Sequence, residues 1–386
     1  MIYKNISLVK DTINEKHLSD LIDWLKTNPK LTKGELNVEF EKKWSQWLGC
    51  KYSVYLNSGS SANLAMIYSL ILSKKLKNKK IIVPSVSWVT TVAPAIQLGL
   101  EPIMCDCDKD NLGLDIEHLK KLIIEHNPSC IILVHVLGIP NHMDEILSLC
   151  DENDIYLLED TCESVGSKYK EKKLGTFGTM SSFSFYFGHH ISTIEGGMVS
   201  TNDEDFYHLL LSIRSHGWDR DLPENKKNNL RLNYEVDDFR ALYTFYYPGF
   251  NLRSTDLQAF IGLKQMETID EIVTKRKNNF DLYNSLIKNG IWKIKPPIES
   301  FVSNFAYPII TENIKELVKE LQEKNVECRP LICGSMSEQP FWYESYGKTI
   351  LPNATRVHNL GLYLPNHSEL TQNEIEFISD IVNKTL

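Results

Sequence analysis

From residue 51 onward the chain alternates short apolar runs with amphipathic segments that have helical spacing. The apolar runs read YSVYL (52–56), KIIVP (80–84), CIILVHV (130–136) and IYLLED (155–160). Strands that are apolar along their whole length are buried on both faces, which is typical of parallel strands covered by helices on either side. The sequence therefore predicts an α/β fold with a mostly parallel sheet between helices.

This alternation continues to about residue 255, and the pattern then changes. Long helical segments around 256–290 are followed by a strand-like FAYPIIT, a helix at 313–325, VECRP and a C-terminal helix. A chain of 386 residues is long enough for more than one core. We predict a large domain over residues 1–255, including an N-terminal helical segment, and a smaller C-terminal α/β domain over residues 256–386.

Charge, hydropathy and cysteine usage exclude several classes of protein. The net charge of −8 and the pI of about 5.8 argue against a nucleic-acid surface, which needs a basic stripe. The first 20 residues have no apolar core of signal-peptide type, and no run approaches the ~20 apolar residues of a membrane span. We therefore expect a cytoplasmic protein. The eight cysteines contain no CxxC pair, so a disulfide scaffold or a zinc ribbon is not expected.

Polar side chains follow several of the predicted strands, where ligands bind in sheets of this kind. The turn SGSS at 58–61 precedes a helix and could present free backbone N–H groups to a phosphate, although a simple helix cap fits equally well. Asp160 closes a buried strand, and it either faces a cationic partner or caps the next element. Trp88 follows KIIVP and could lie flat on a planar ligand or pack in the core.

The pair His189-His190 ends the aromatic run FSFYFG. Neighbours on an extended segment point to opposite faces, and no HExxH or other three-ligand set is present, so we predict no metal site. A histidine, with a usual pKa of about 6.5, could instead move a proton. A phosphate turn, a flat aromatic, a buried aspartate and a basic side chain on successive strand ends are together what pyridoxal phosphate (PLP) requires.

Segments typical of one known family occur in order along nearly the whole chain. They include LNSGSSANLAM (56–66), VPSVSWVT (83–90), LLEDTCESVGSKY (157–169), EGGMVST (195–201) and GFNLRSTDLQAFIGLKQME (249–267). With these segments the chain resembles the sugar-nucleotide aminotransferases of the DegT/DnrJ/EryC1/StrS group. The resemblance implies a fold-type I PLP-dependent transferase.

In that family a lysine bonded to the cofactor lies six residues before the glutamate of EGG, and here this position is His189. Imidazole cannot serve as a lasting covalent anchor, but it can take and return a proton. The same exchange marks a subgroup of 3-dehydratases that use pyridoxamine phosphate (PMP). The resemblance therefore implies removal of the C3 hydroxyl from a nucleotide-linked 4-keto-6-deoxy sugar in 3,6-dideoxysugar biosynthesis. It also implies glutamate as the amino donor that regenerates PMP, with release of ammonia.

The cysteines bear on which kind of 3-dehydratase the chain resembles. One kind acts on a CDP-sugar and carries a [2Fe–2S] cluster held by four cysteines in its C-terminal half. Only Cys328 and Cys333 lie after residue 162 here, so we expect no iron–sulfur cluster. The resemblance then points to GDP-4-keto-6-deoxymannose or a closely related GDP-linked sugar, while hexose and heptose substrates remain open.

The resemblance also assigns roles to individual positions. His189 is the expected catalytic base and acid. The expected cofactor-binding residues are Gly59, Ser60 and Ser184 at the phosphate, Trp88 on the ring, Asp160 at the ring nitrogen, Glu163 on the oxygen side, and Asn251. Asn251 is expected to come from a neighbouring subunit, so the resemblance implies a homodimer with shared active sites. Weaker candidates for contacts with the sugar nucleotide or the glutamate carboxylate are His216, Arg220 and Arg253, for which plain surface charge is an equal alternative.

Two other functions fit parts of the same pattern. One is a sugar-nucleotide aminotransferase that uses a displaced lysine, such as Lys172 or Lys173 in SKYKEKKLG. The other is a non-catalytic relative that only binds a sugar nucleotide. We expect His135 and His190 to be structural or orienting histidines.

Overall fold

The computed structural model describes residues 5–288 and 292–386. Its strands are β1 Tyr52–Leu56, β2 Lys80–Pro84, β3 Glu101–Cys105, β4 Cys130–Val134, β5 Tyr156–Asp160, β6 Lys168–Tyr169, β7 Lys172–Lys173, β8 Met180–Ser184, β9 Gly197–Thr201, β10 Ser300–Phe301, β11 Tyr307–Ile310, β12 Arg329–Pro330 and β13 Gly361–Leu364. Its helices are α1 Glu15–Leu25, α2 Glu35–Leu48, α3 Gly59–Leu72, α4 Val89–Gln97, α5 Ile116–His126, α6 Met143–Glu152, α7 Glu204–Arg214, α8 Glu224–Asn233, α9 Asp238–Ala241, α10 Asp256–Gln265, α11 Ile269–Leu286, α12 Ile314–Glu323, α13 Pro340–Tyr346, α14 Pro352–Leu360 and α15 Gln372–Thr385.

Seven strands form the main sheet in the order β1-β9-β8-β5-β4-β2-β3. The pairs β2–β3, β2–β4, β4–β5 and β5–β8 are parallel, whereas β9 runs antiparallel to both β1 and β8. All five residues of β4 are buried, because helices cover both faces of the sheet. The predicted α/β class with a mostly parallel sheet between helices is confirmed.

The carboxyl end of β1 is packed closely against the start of β9. A Cβ added to Gly197 would lie 2.2 Å from the carbonyl oxygen of Ser58 and 2.6 Å from the backbone nitrogen of Gly59. Glycine is therefore required in the EGG segment for steric reasons, because any side chain would displace the turn that opens α3. The reversed strand β9 thus supports one edge of the site described below.

A three-stranded sheet of order β11-β13-β12 lies in the C-terminal part of the chain. The Asp106 carboxylate, just after β3, accepts hydrogen bonds from the backbone N–H groups of Asn353 and Ala354 at 3.1 and 2.9 Å. The main-sheet region therefore caps α14 of the C-terminal region. On the other side, the carboxylate of Asp256 at the start of α10 accepts from Gly34 and Asn37 next to α2. The domain boundary at residue 255 stays a prediction.

The stretch 218–250 is polar and then strongly aromatic, and its length predicts a functional or interface loop rather than a simple connector. In the structure it contains two helices, α8 and α9. Its polar first half has helical propensity that the sequence analysis did not recognise, and α8 has no buried residue. Within the parts of the chain that the structure describes, we find no helix whose length and apolar character would let it cross a bilayer.

Candidate active site

The turn after β1 opens α3 and leaves backbone donors free. The Ser58 hydroxyl accepts from the backbone N–H of Ser61 at 3.0 Å, which is an N-cap bond. The N–H groups of Gly59 and Ser60 point out of the first helical turn, where no intrahelical acceptor exists. A Cβ on Gly59 would lie 2.6 Å from the Cβ of Ser184 at the end of β8. The turn and Ser184 therefore form one cradle that suits an anion at the helix N-terminus.

Asp160 ends β5 and is only 3% exposed. One carboxylate oxygen accepts from the Asn63 amide at 2.8 Å and from the Thr91 hydroxyl at 2.7 Å, and the other accepts from the backbone N–H of Cys162 at 3.1 Å. No lysine, arginine or histidine of the described chain forms an ion pair with it. A buried, fixed carboxylate without a cation is suited to a protonated ring nitrogen supplied by a ligand.

Trp88 occupies the N-cap position of α4, after β2, and it is 56% exposed. Its carbonyl oxygen accepts from the backbone N–H of Thr91, whose hydroxyl reaches Asp160. The indole is therefore one helical turn from the carboxylate, and it is free to cover a planar group held there.

His189 lies beyond the end of β8, in a bend that follows a turn at residues 187–188. Its Nδ1–H donates to the carbonyl oxygen of Cys162 at 2.9 Å. This bond fixes the tautomer and leaves the lone pair on Nε2. Because Cys162 lies two residues after Asp160 and its backbone N–H donates to that carboxylate, the bond also fixes the imidazole beside Asp160. The site therefore contains a basic nitrogen with a defined orientation.

Burial lowers the pKa of His189 to about 4, and Arg276 lowers it further, whereas the Cys162 carbonyl and Asp160 raise it. The imidazole is thus neutral at pH 7 and can accept a proton. From the sequence alone, the ordinary histidine pKa of about 6.5 was the expectation. The difference arises because the ring packs under Phe305, with 5.1 Å between the ring centroids.

Glu163 lies three residues after Asp160, and one carboxyl oxygen accepts from the backbone N–H of Leu137 at 2.9 Å. Burial raises the pKa of Glu163 to about 8, and the neighbouring Asp160 raises it as well. The carboxyl group therefore keeps its proton at neutral pH and can donate a hydrogen bond, as the amide of a glutamine would.

A second group of expected residues lies together near the end of β1. Arg253 Nε donates to the Asn251 side-chain oxygen at 3.0 Å, and Arg253 Nη2 lies 3.4 Å from His216 Nε2. The backbone between Asn251 and Arg253 runs beside the phosphate turn, because the N–H of Asn57 donates a hydrogen bond to the Leu252 carbonyl at 2.9 Å. Arg220 is not in this cluster: its guanidinium lies 3.8 Å from the centroid of the Trp218 ring.

The pair His189-His190 does not lie on an extended segment, contrary to expectation. The chain turns after β8, and both imidazoles pack on the same ring, since His190 is 6.3 Å from Phe305 between centroids. His190 Nε2 donates to the Ser303 carbonyl at 3.0 Å. His135 contacts the buried Glu159 at 3.2 Å. Both contacts fit orienting roles.

The two lysines that an aminotransferase could use in place of the usual one, Lys172 and Lys173, lie outside these two groups of residues. Lys173 Nζ is 4.0 Å from the centroid of the Trp47 ring, and Lys172 is 6.0 Å from Phe177. Neither contacts any of the residues of the two groups above. Among residues 5–288 and 292–386, no set of three or more histidine, cysteine, aspartate or glutamate side chains is arranged to hold a metal.

Two residues of the site were missed by sequence reasoning, namely Asn63 and Thr91, which hold Asp160. Both are almost fully buried on helices that are otherwise apolar. A buried amide needs a partner, and Asn63 lies one turn after Gly59 on α3. That spacing was a readable signal for a polar contact at this edge of the sheet.

These residues fit a phosphate-bearing, cationic aromatic ring such as that of PLP or PMP. A cradle of free N–H groups, an exposed indole and a buried carboxylate without a cationic partner occur on adjacent strand ends. A covalent anchor is not expected here, because a histidine with a fixed tautomer occupies the position after β8.

Comparison with known proteins agrees with this geometry. The model of the DegT/DnrJ/EryC1/StrS aminotransferase family matches residues 11–383. The chain is 35% identical over 391 residues to a GDP-4-keto-6-deoxy-D-mannose 3-dehydratase from Yersinia pseudotuberculosis, covering 98% of each protein.

Two crystal structures share the fold-type I architecture with it. One is a GDP-4-keto-6-deoxymannose-3-dehydratase with a trapped PLP-glutamate geminal diamine, at 33% identity and a TM-score of 0.89, covering 98% of this chain and 100% of that one. The other is a histidine-to-asparagine variant of that dehydratase with bound GDP-perosamine, with the same identity, TM-score and coverage.

Proposed function

Because the chain belongs to the DegT/DnrJ/EryC1/StrS aminotransferase family and has His189 where that family carries its lysine, we propose that it is a PLP/PMP-dependent 3-dehydratase of a nucleotide-linked sugar. Its substrate is GDP-4-keto-6-deoxymannose or a closely related GDP-linked sugar. The observation that carries the proposal is the fixed, neutral imidazole beside Asp160. The names of the relatives at 35% and 33% identity support the substrate class.

Residues of the first group hold the cofactor. The N–H groups of Gly59 and Ser60, with Ser184, bind its phosphate, Trp88 covers its ring, and Asp160 faces its ring nitrogen. When bound, PMP supplies an amine that condenses with the sugar's C4 ketone and a ring that takes up electrons.

His189 moves the protons. With PMP bound, its Nε2 would be the atom that accepts a proton, because Nδ1 is committed to the Cys162 carbonyl. The same nitrogen then returns the proton to the C3 hydroxyl as that group leaves as water. General acid–base catalysis of this kind contributes about 10²–10⁴ in rate. Protonated Glu163 donates a hydrogen bond on the oxygen side of the ring, where a carboxylate would repel an oxygen anion.

A homodimer completes the site in this proposal, with Asn251 of one copy near the phosphate cradle of the other. Support comes from two exposed aromatic surfaces. One is at the site, where Trp88, Tyr186 and Phe187 are exposed, and the other is in the segment 234–245, where Phe239 is 82% exposed. Exposed aromatic groups of this extent mark interfaces, and a second copy would cover both.

Ammonia release distinguishes the proposed function from its alternatives. The protein is incubated with PLP, glutamate and a panel of GDP- and CDP-linked 4-keto-6-deoxy hexoses and heptoses, and the products are analysed by mass spectrometry. We expect ammonia and a 3-deoxy-4-keto sugar from a GDP-linked member. An amino sugar without ammonia would indicate a transaminase, and binding without turnover would indicate a non-catalytic relative.

A further inference from the structure

Arg276 on α11 is 2% exposed, yet its guanidinium has no carboxylate partner within the two ranges that the structure describes. It donates to backbone carbonyls instead, to Phe305 at 2.8 Å, to Asn366 and, more weakly, to His189 at 3.4 Å. Its Nε has no acceptor in those ranges. A buried cation without an anion is costly, so a compensating role is expected.

The other large buried arginine, Arg214, is a case in which the buried charge is paired with carboxylates. Arg214 is 1% exposed and forms ion pairs with both Glu41 and Asp221. Its charge is neutralised where it lies. Arg276 keeps an uncompensated charge, although burial lowers its pKa to about 9, so that it is still protonated at neutral pH.

The surroundings of Arg276 connect it to the proton-transfer group. The guanidinium carbon of Arg276 lies 5.8 Å from the centroid of the Phe305 ring. The same ring packs on the imidazole of His189, with 5.1 Å between the ring centroids. The long bond to the His189 carbonyl joins the same two residues through the backbone. Arg276 therefore contacts both the ring support and the main chain of His189.

Building on the proposed function, we propose that Arg276 is a positioning residue that supports His189 from behind and, as an unpaired buried cation, disfavours the protonated form of its imidazole. The same charge makes the resulting imidazolium a stronger acid toward the leaving hydroxyl. The cation therefore favours the second proton transfer, from the imidazolium to the leaving hydroxyl.

The other charged or titratable groups that face His189 do not replace this effect. Asp160 acts in the opposite direction and favours the protonated ring. His190 is held neutral by burial, with its pKa well below the ordinary value. Tyr186 presents its ring at 6.5 Å between centroids. Arg276 is the remaining fixed positive charge in this set.

The test measures the titration of His189 directly, in the purified full-length protein, by NMR of ¹³C-labelled histidine, with the signal assigned from His189→Asn. In Arg276→Gln we expect the titration midpoint to rise by about one pH unit, the size of shift that a nearby charge produces. Lys275→Gln removes the same charge from an exposed position on the same helix, and it should leave the midpoint unchanged.

Arg276→Lys separates charge from shape. It keeps the cation but loses the planar fork, so we expect a midpoint near the wild-type value and a kcat for ammonia release lowered about tenfold, with little change in KM.

A midpoint that moves by less than about 0.3 pH unit in Arg276→Gln would overturn the proposal. If that variant does not fold, a wild-type midpoint at or above the ordinary value of about 6.5 overturns it as well. The titration requires no turnover, so an inactive protein would refute the proposed function without deciding this one.

Discussion

At the scale of single residues, the sequence located the histidine that we propose transfers protons, but it did not indicate the protonation state of that histidine. His189 could be placed by its distance from Glu195 along the chain, which needs no structure. Its pKa is lowered by burial and, to a smaller extent, by Arg276; Phe305, which packs on the ring, and Arg276 are both more than 80 residues away in sequence. Such long-range desolvation cannot be inferred from local pattern. The protonated state of Glu163 was unpredictable for the same reason.

Replacing His189 by lysine tests the choice between dehydration and covalent anchoring. We expect His189→Lys to lose ammonia release, because the lysine amine competes for the cofactor. A buried lysine also cannot replace the neutral imidazole as the proton acceptor. Borohydride should then trap a covalent cofactor adduct, seen as a mass increase of the chain, whereas the wild-type chain is not modified. Dehydration at the wild-type rate in this variant would refute the role of His189.

Glu163→Gln tests the neutral carboxyl. In the wild type the folded state keeps this proton up to about pH 8, whereas the unfolded chain releases it near pH 4.5. The wild type therefore loses unfolding free energy as pH rises through this window, and the glutamine variant does not. Urea unfolding of the cofactor-free proteins should show the variant gaining on the order of 2 kcal/mol relative to wild type between pH 6 and pH 8.5. Parallel curves would mean that Glu163 is ionised.

At the scale of elements, the ends of the strands could be predicted from the sequence, whereas the polar contacts made at those ends could be predicted less well. The turn SGSS and the buried end of β5 follow from local pattern, because turn residues and apolar runs mark such boundaries. Asn63 and Thr91 meet at Asp160 only because α3 and α4 cross the same edge of the sheet. Helix α8 within 218–250 was missed, since its weakly amphipathic sequence has no buried residue.

The cradle at the start of α3 tolerates no added methyl group. In Gly59→Ala the new Cβ would lie 2.6 Å from the Cβ of Ser184, so β8 and α3 must separate and the N–H groups lose their alignment. We expect at least a tenfold weaker affinity for PLP, measured by fluorescence titration. Ser58→Ala, which removes only the cap, should instead lower the unfolding free energy by about 1 kcal/mol. Equal PLP affinity in Gly59→Ala and wild type would contradict the assignment of the cradle.

At the scale of the whole molecule, the α/β class and the mostly parallel sheet followed from the sequence, because continuous apolar strands allow few other arrangements. The contacts that join the N-terminal and C-terminal parts did not follow from it. They depend on single side chains, such as Asp106 and Asp256, whose partners are distant in sequence. The division at residue 255 consequently remains a prediction.

Buried histidines make the molecule sensitive to acid. Burial lowers the pKa of His189 and His367 to about 4 and that of His190 well below its ordinary value. Below about pH 6.5 these histidines are protonated in the unfolded chain but stay neutral in the folded chain. The free energy of unfolding therefore falls as the pH drops toward 4, by up to about 1.4 kcal/mol per pH unit for each histidine. Urea unfolding at pH 7, 6 and 5 should show that the free energy of unfolding falls less steeply with decreasing pH in His367→Gln than in the wild type. Identical slopes would exclude this origin.

The carboxylate of Asp106 ends a strand of the main sheet and caps a helix of the C-terminal part. Moving the two parts of the chain apart would expose that helix start and remove the two donors, Asn353 and Ala354, from the carboxylate. Heating should therefore disrupt both parts together, as one cooperative event with a single calorimetric peak. A hinge that opened between them for substrate entry would have to break the same link, so access to the site is better sought along the surface where two copies would meet.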